Sequence, residues 1–344
     1  MELGQPGTRS DVRQARLLPE FVFDIADRPR DSREVPAIHE LVVSVCHGRH
    51  DIEPPAPGST RILREPLLPG RPYAPQARRP GYAPEPFRYT CEPMQKQAWT
   101  WTTRRLPQPA RLARWGHFGT PVVIFPTAGG DFEEIERFQL IAALGELIDA
   151  GRIKAYSTEG AAVRAWLSAT TSKPDCARLQ DRYDSFVYEE VLQRIREDCH
   201  DDRIEPILAG ASLGAFAALC GICRHPDSFR AAIGLSGVYD VSHRYCGEES
   251  AAFSPLARLE TLKGPRLEQL RRRAIILGSG EGDYENPADS RRLADACAAK
   301  GIPCRLSLWG PARDHTWSTW REMLPRLLAA QLESPFAGPP AGQP

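Results

Sequence analysis

The chain is short of lysine, of net charge and of long apolar runs. Only Lys96, Lys154, Lys173, Lys263 and Lys300 are lysines among 44 Lys and Arg residues, and 44 Asp and Glu residues balance them. A formal net charge of zero gives no field that would favour nucleic acid or an anionic membrane surface. No stretch approaches the ~20 apolar residues that span a bilayer. The first residues carry Glu2, Arg9, Asp11 and Arg13 with no apolar segment between them, unlike a secretory leader, so the cytoplasm is the expected compartment. Nine cysteines are an odd number and too sparse for a disulfide-built secreted domain, so reduced thiols are expected. Cys220-Gly221-Ile222-Cys223 with His225 nearby resembles half a metal site, but no second pair completes it. It falls in a helical pattern where cysteine is a small apolar filler. No metal and no cofactor are expected.

Proline, by contrast, is abundant and unevenly spread. Of 32 prolines, 14 precede residue 91, some as Pro54-Pro55-Ala56-Pro57, others from Pro66 to Pro86 with Arg71, Arg78 and Arg79 among them and Arg88 just after. Such a segment supports little regular structure. Its one candidate strand, Leu41-Val42-Val43-Ser44-Val45, is short and isolated. Residues 1–92 are therefore expected to be mostly disordered, a solvated arginine-rich linker rather than a phosphate-binding arm. Residues 93–334 form the expected folded domain and 335–344 a disordered tail.

From residue 93, apolar strand-like runs alternate with amphipathic helices, the signature of an α/β fold with a mostly parallel sheet. An antiparallel edge is expected from 98–101 and 111–115, followed by strands at 121–125, 152–156, 207–209, 231–236, 273–278 and 304–309. Asp131 and Glu134 have the spacing of a capping box, and Ile135, Phe138, Ile141, Ala142 and Leu144 mark the stripe of the helix it would start. Further helices are expected over 178–198, 288–300 and 320–331, the last with a second capping box at Thr319 and Glu322.

The stretch that carries chemistry is Gly210-Ala211-Ser212-Leu213-Gly214, placed between the apolar run Ile207-Leu208-Ala209 and the helical Ala215-Phe216-Ala217-Ala218-Leu219. A Gly-x-Ser-x-Gly turn between strand and helix is so tight that its neighbours must lack bulk, and it holds the serine exposed at the sheet edge. The N–H groups and positive dipole end of the following helix would stabilise negative charge beside Ser212. A serine hydroxyl needs an imidazole to take its proton and a carboxylate to orient that imidazole. In α/β-hydrolases these follow in the order Ser, acid, His, each on a loop after a strand. The loop after Gly278 offers Glu281, Asp283 and Glu285, and the loop after Trp309 delivers His315. For the oxyanion, Leu213 N–H is one expected donor. Pro126 has no N–H, so Thr127 or Ala128 supplies the other. Trp309, Trp317 and Trp320 are candidates to wall an acyl pocket.

Residues 93 to about 333 resemble the putative-esterase branch of the α/β-hydrolases, which includes esterase D-like enzymes and is related to mycolyltransferases. The segments that carry the resemblance are Gly116-His117-Phe118-Gly119-Thr120-Pro121, Phe125-Pro126-Thr127-Ala128-Gly129-Gly130, Gly210 to Gly214, Phe229-Arg230-Ala231-Ala232-Ile233-Gly234, and Leu308-Trp309-Gly310 through Asp314-His315-Thr316-Trp317. The resemblance implies serine-mediated acyl transfer, usually to water, with no cofactor and a small-molecule ester as substrate. In similar proteins a glycine-rich stretch ending in a carboxylate follows the penultimate strand. Glu285 fits that carboxylate best, with Asp283 as an alternative and Asp240, one strand earlier, as another. Thr316 departs from the pattern, standing where relatives often have a second acid. Transfer of the acyl group to an alcohol with the same residues, and a non-catalytic hydrolase-like scaffold, are the alternative readings.

Overall fold

The computed structural model describes residues 95–128, 130–160, 172–240 and 253–335. The proline-rich segment, the strand expected at Leu41–Val45, Gly129 and the last nine residues lie outside them. Among the described residues, eight strands form one sheet: β1 (Lys96–Trp101), β2 (Ala110–Trp115), β3 (Thr120–Phe125), β4 (Ile153–Thr158), β5 (Ile207–Ala211), β6 (Ala231–Leu235), β7 (Ala274–Ser279) and β8 (Cys304–Leu308). Their spatial order is β1-β2-β4-β3-β5-β6-β7-β8. Strands β4-β3-β5-β6-β7-β8 are parallel, while β2 runs antiparallel to both β1 and β4.

The strand sequences explain the burial. Strands β3, β5, β6 and β7 are short, mostly apolar runs, as a parallel sheet covered on both faces requires. Side chains alternate between two cores: in β3, Val122 and Ile124 face one and Val123 and Phe125 the other, and in β7 Ile276 and Ile275 divide in the same way. Helix α4 (Lys173–Phe186) runs through a π turn at Val187–Val191 into α5 (Leu192–Cys199), and with α6 (Leu213–Arg224) it covers one face. Trp320, Met323, Leu324 and Leu328 of α10 (Trp317–Glu333) cover part of the other. Glu190 in the π turn accepts from Trp101 Nε1 at 2.8 Å and Thr103 Oγ1 at 2.7 Å, tying down the antiparallel edge.

The helix expected after Asp131 departs from its pattern. It is three short pieces, α1 (Glu134–Arg137), α2 (Leu140–Ala143) and α3 (Gly145–Asp149), and Gln139 sits between the first two at φ 60°. The apolar stripe still buries Ile135, Ile141 and Leu144. The capping box does not form: Glu134 N–H donates to Asp131 O at 3.1 Å, but the Glu134 carboxylate turns to Thr127 instead. The second box fails too, because α10 begins three residues early, placing Thr319 inside the helix and leaving Glu322 to pair with Arg313 at 2.7 Å. The remaining helices among the described residues are α7 (Pro255–Thr261), α8 (Gly264–Leu270) and α9 (Pro287–Ala299).

Candidate active site

The chain leaves β3 toward β4 on one side and returns to β5 on the other. Where strand order reverses in this way, the connecting segments diverge and open a crevice at the carboxyl ends of the strands. The Gly210–Gly214 stretch and the loop after Phe125 both emerge there.

Strand β5 ends at Ala211 and α6 begins at Leu213, so Ser212 makes the turn alone, at φ 55° and ψ −122°. A non-glycine residue held there stores about 1–3 kcal/mol and persists only if its surroundings enforce it. They do. Ser212 N–H donates to Leu235 O of β6 at 2.9 Å, and Ala215 N–H donates to Ser212 O at 3.1 Å. A Cβ at Gly210 would fall on the Gly214 carbonyl, and one at Gly214 would lie 2.5 Å from Phe125 O and 2.8 Å from Pro126 O. The motif's glycines are thus set by contact between the turn, its own helix and the exit of β3. Ser212 itself is half-buried, and Leu213 N–H lies ahead of the first intrahelical bond.

Of the carboxylates expected after β7, Glu285 lies against the histidine: His315 Nδ1 and Glu285 Oε2 are 3.5 Å apart, with the two side chains 9% and 1% exposed. Asp283 is exposed, and Glu281 pairs with Arg291 at 3.2 Å. Asp240, the alternative one strand earlier, is 3.8 Å from Arg292. The two loops that carry Glu285 and His315 meet along their backbones: Trp309 N–H donates to Ser279 O, Glu281 N–H to Gly310 O and Gly282 N–H to Arg313 O, at 3.0–3.1 Å. This needs residues without side chains, since a Cβ at Gly280 would fall on Arg313 O and one at Gly282 on Asp314 Oδ1.

Two supporting residues escaped the sequence reading. Ser236, directly after β6 and at φ 45°, donates its hydroxyl to Glu285 Oε1 at 2.5 Å and accepts from Trp320 Nε1 at 3.1 Å. The sequence signal for it is a serine and glycine, Ser236-Gly237, closing a buried strand four residues before Asp240. Trp320 is buried and meets His315 edge to face at 5.1 Å, so it packs behind the imidazole instead of simply walling a pocket. Trp317 stacks on Phe138 at 4.7 Å, and Arg326 lies over Trp309.

The second unforeseen residue is Glu134, fully buried, whose carboxylate accepts from Thr127 N–H at 2.6 Å and Thr127 Oγ1 at 2.7 Å. Burial pushes its carboxyl up to about 7, against the opposing effect of the Thr127 bonds and Arg137. Thr127 N–H is therefore already committed, which corrects its expected availability to an oxyanion; of the two residues considered, Ala128 is left.

Elsewhere, a cavity of about 970 Å³ opens where the parallel strands begin, beside Thr120, Lys154, Arg230 and Ala274, away from the end that carries Ser212. Among the described residues, no group of three or more His, Cys, Asp or Glu side chains is arranged to hold a metal ion. No helix among them is long and apolar enough to cross a membrane.

Residues 154–334 match the family described as Putative esterase. No curated protein matches the chain. Among solved structures, a ferulic acid esterase is similar at 17% identity over 68% of this chain and 97% of its own, with a TM-score of 0.56. The Staphylococcus aureus fluorophosphonate-binding serine hydrolase FphF is similar at 12% identity over 70% of this chain and 99% of its own, with a TM-score of 0.54. An S-formylglutathione hydrolase from Agrobacterium tumefaciens gives 15%, 69%, 94% and 0.51. At such identities the likeness establishes the shared α/β-hydrolase fold.

Proposed function

Because this chain belongs to the Putative esterase family, we propose that it hydrolyses a carboxylic ester through an acyl-enzyme on Ser212, with His315 as general base and Glu285 as its orienting acid. The observation that carries the reading is the pairing of a lone strained serine at the strand-order crevice with a buried Glu285–His315 couple from the neighbouring strand ends.

Glu285 faces Nδ1 of His315, which leaves Nε2 as the nitrogen for the serine proton. As Ser212 Oγ attacks the ester carbonyl, its proton passes to Nε2, and Glu285 stabilises the imidazolium. Leu213 N–H and Ala128 N–H receive the oxyanion. Such a donor contributes about 2.7–4 kcal/mol in the transition state. Collapse expels the alcohol, which takes the proton from Nε2. Water, activated by the same nitrogen, then releases the acyl group.

The test combines a fluorophosphonate probe with a series of short to long acyl esters. Wild type is expected to label and turn over, and Ser212→Ala to lose the label and at least about 10³-fold in kcat. Wild type that neither labels nor hydrolyses any ester would leave the non-catalytic scaffold as the correct reading. Products formed preferentially on an added alcohol would make it an acyltransferase.

A further inference from the structure

A carboxylate with no exposed surface is costly unless donors compensate it. Glu134 has two, the N–H and the hydroxyl of Thr127, both on the loop that follows β3. That loop is also held by its neighbours and by its own turn. Gly214 of the serine turn packs on the Phe125 and Pro126 carbonyls, and a Cβ at Gly160, just past β4, would lie 2.8 Å from Gly130 O. Gly130 N–H closes the turn on Thr127 O at 3.2 Å. At its far end Asp131 accepts from Glu133 N–H at 2.9 Å and Arg137 Nη2 at 2.8 Å. Gly130 itself lies so close to the Glu134 carboxylate that a Cβ there would collide with it.

We propose that Glu134 is a positioning residue of the oxyanion hole: by taking both Thr127 donors it turns Thr127 N–H inward and sets Ala128 N–H beside Leu213 N–H to receive the substrate oxygen. The inference rests on the Ser212 reading and adds to it which backbone donor serves and what orients it. A carboxylate is suited to the task because one oxygen takes each donor. A neutral amide keeps one acceptor oxygen for Thr127 N–H but places an NH2 donor against Thr127 Oγ1, so the hydroxyl must reverse from donor to acceptor and the charge that holds both Thr127 donors at once is lost.

The role differs from simple stabilisation in what it predicts. Oxyanion contacts form fully only in the transition state, so a misplaced donor lowers kcat with little change in KM. In the full-length chain, Glu134→Gln is expected to lose about tenfold or more in kcat on a p-nitrophenyl ester, with KM within about twofold of wild type. Affinity for a trifluoromethyl ketone, whose hemiketal places an oxyanion in the hole, should weaken by a factor similar to the loss in kcat/KM. Thr127→Val, which keeps the N–H bond and removes the hydroxyl, should show a smaller loss of the same kind.

The proposal is overturned if both variants, folded by circular dichroism, match wild type in kcat and ketone affinity, or if any loss only tracks the unfolded fraction. Should Glu134→Gln fail to fold, Thr127→Val decides: wild-type values there also overturn it. Wild type that turns over and labels while the variants are unchanged rejects this inference alone. Wild type without turnover or label rejects the Ser212 reading and this inference with it.

Discussion

At the scale of single residues, the support behind Glu285 is a chain of buried polar atoms. Ser236 stands between Glu285 Oε1 and Trp320 Nε1, so Ser236→Ala leaves an acceptor and a donor unpartnered at once. Each such loss costs about 1–3 kcal/mol, and in a body of this size every 1 kcal/mol lowers the melting temperature by about 2–4 °C. Thermal melting should fall by that order, and kcat should fall with it as Glu285 loses its fixed orientation. Unchanged melting would show that the hydroxyl contributes nothing. Which partners these residues find was not legible in the sequence. Glu134 has the spacing of a helix cap, yet burial against Thr127 outweighs the local bond. Ser236 reaches Glu285 only because β6 and β7 are neighbours in the sheet.

Elements were more legible than contacts. The strands could be read because short apolar runs alternate with longer helical patterns, and each expected strand from residue 98 onward coincides with an observed one to within about two residues, the usual uncertainty of element ends. The segment after Asp131 reads as one helix because periodicity reports which residues face the core and is blind to a left-handed break such as Gln139. The seam between the loops after β7 and β8 gives a test at this scale. Gly280→Ala places a methyl on Arg313 O, and overpacking of this kind costs about 1–3 kcal/mol. Hydrolysis should drop steeply while far-ultraviolet circular dichroism keeps its sheet and helix signal. Full activity in a folded Gly280→Ala protein would mean the seam does not set the geometry of Glu285 and His315.

For the whole molecule, the alternation of strand and helix announces an α/β sheet, but the spatial order β4-β3-β5 is not written in any local pattern. It follows from how the two cores are covered, and it determines where the crevice opens. Every described strand and helix lies between Lys96 and Glu333. We therefore expect a chain shortened to begin at residue 93 to hydrolyse the same esters as the full chain within about twofold, since every described strand and helix is kept. Loss of activity in the shortened chain, measured on the same ester series, would assign the first 92 residues a part in the reaction.

The backbone seam joining the loops of Glu285 and His315 also has a mechanical corollary. In the proposed mechanism base and acid would therefore travel together, tied by three backbone bonds, and the spacing left to adjust on substrate entry would be the one between Ser212 and His315.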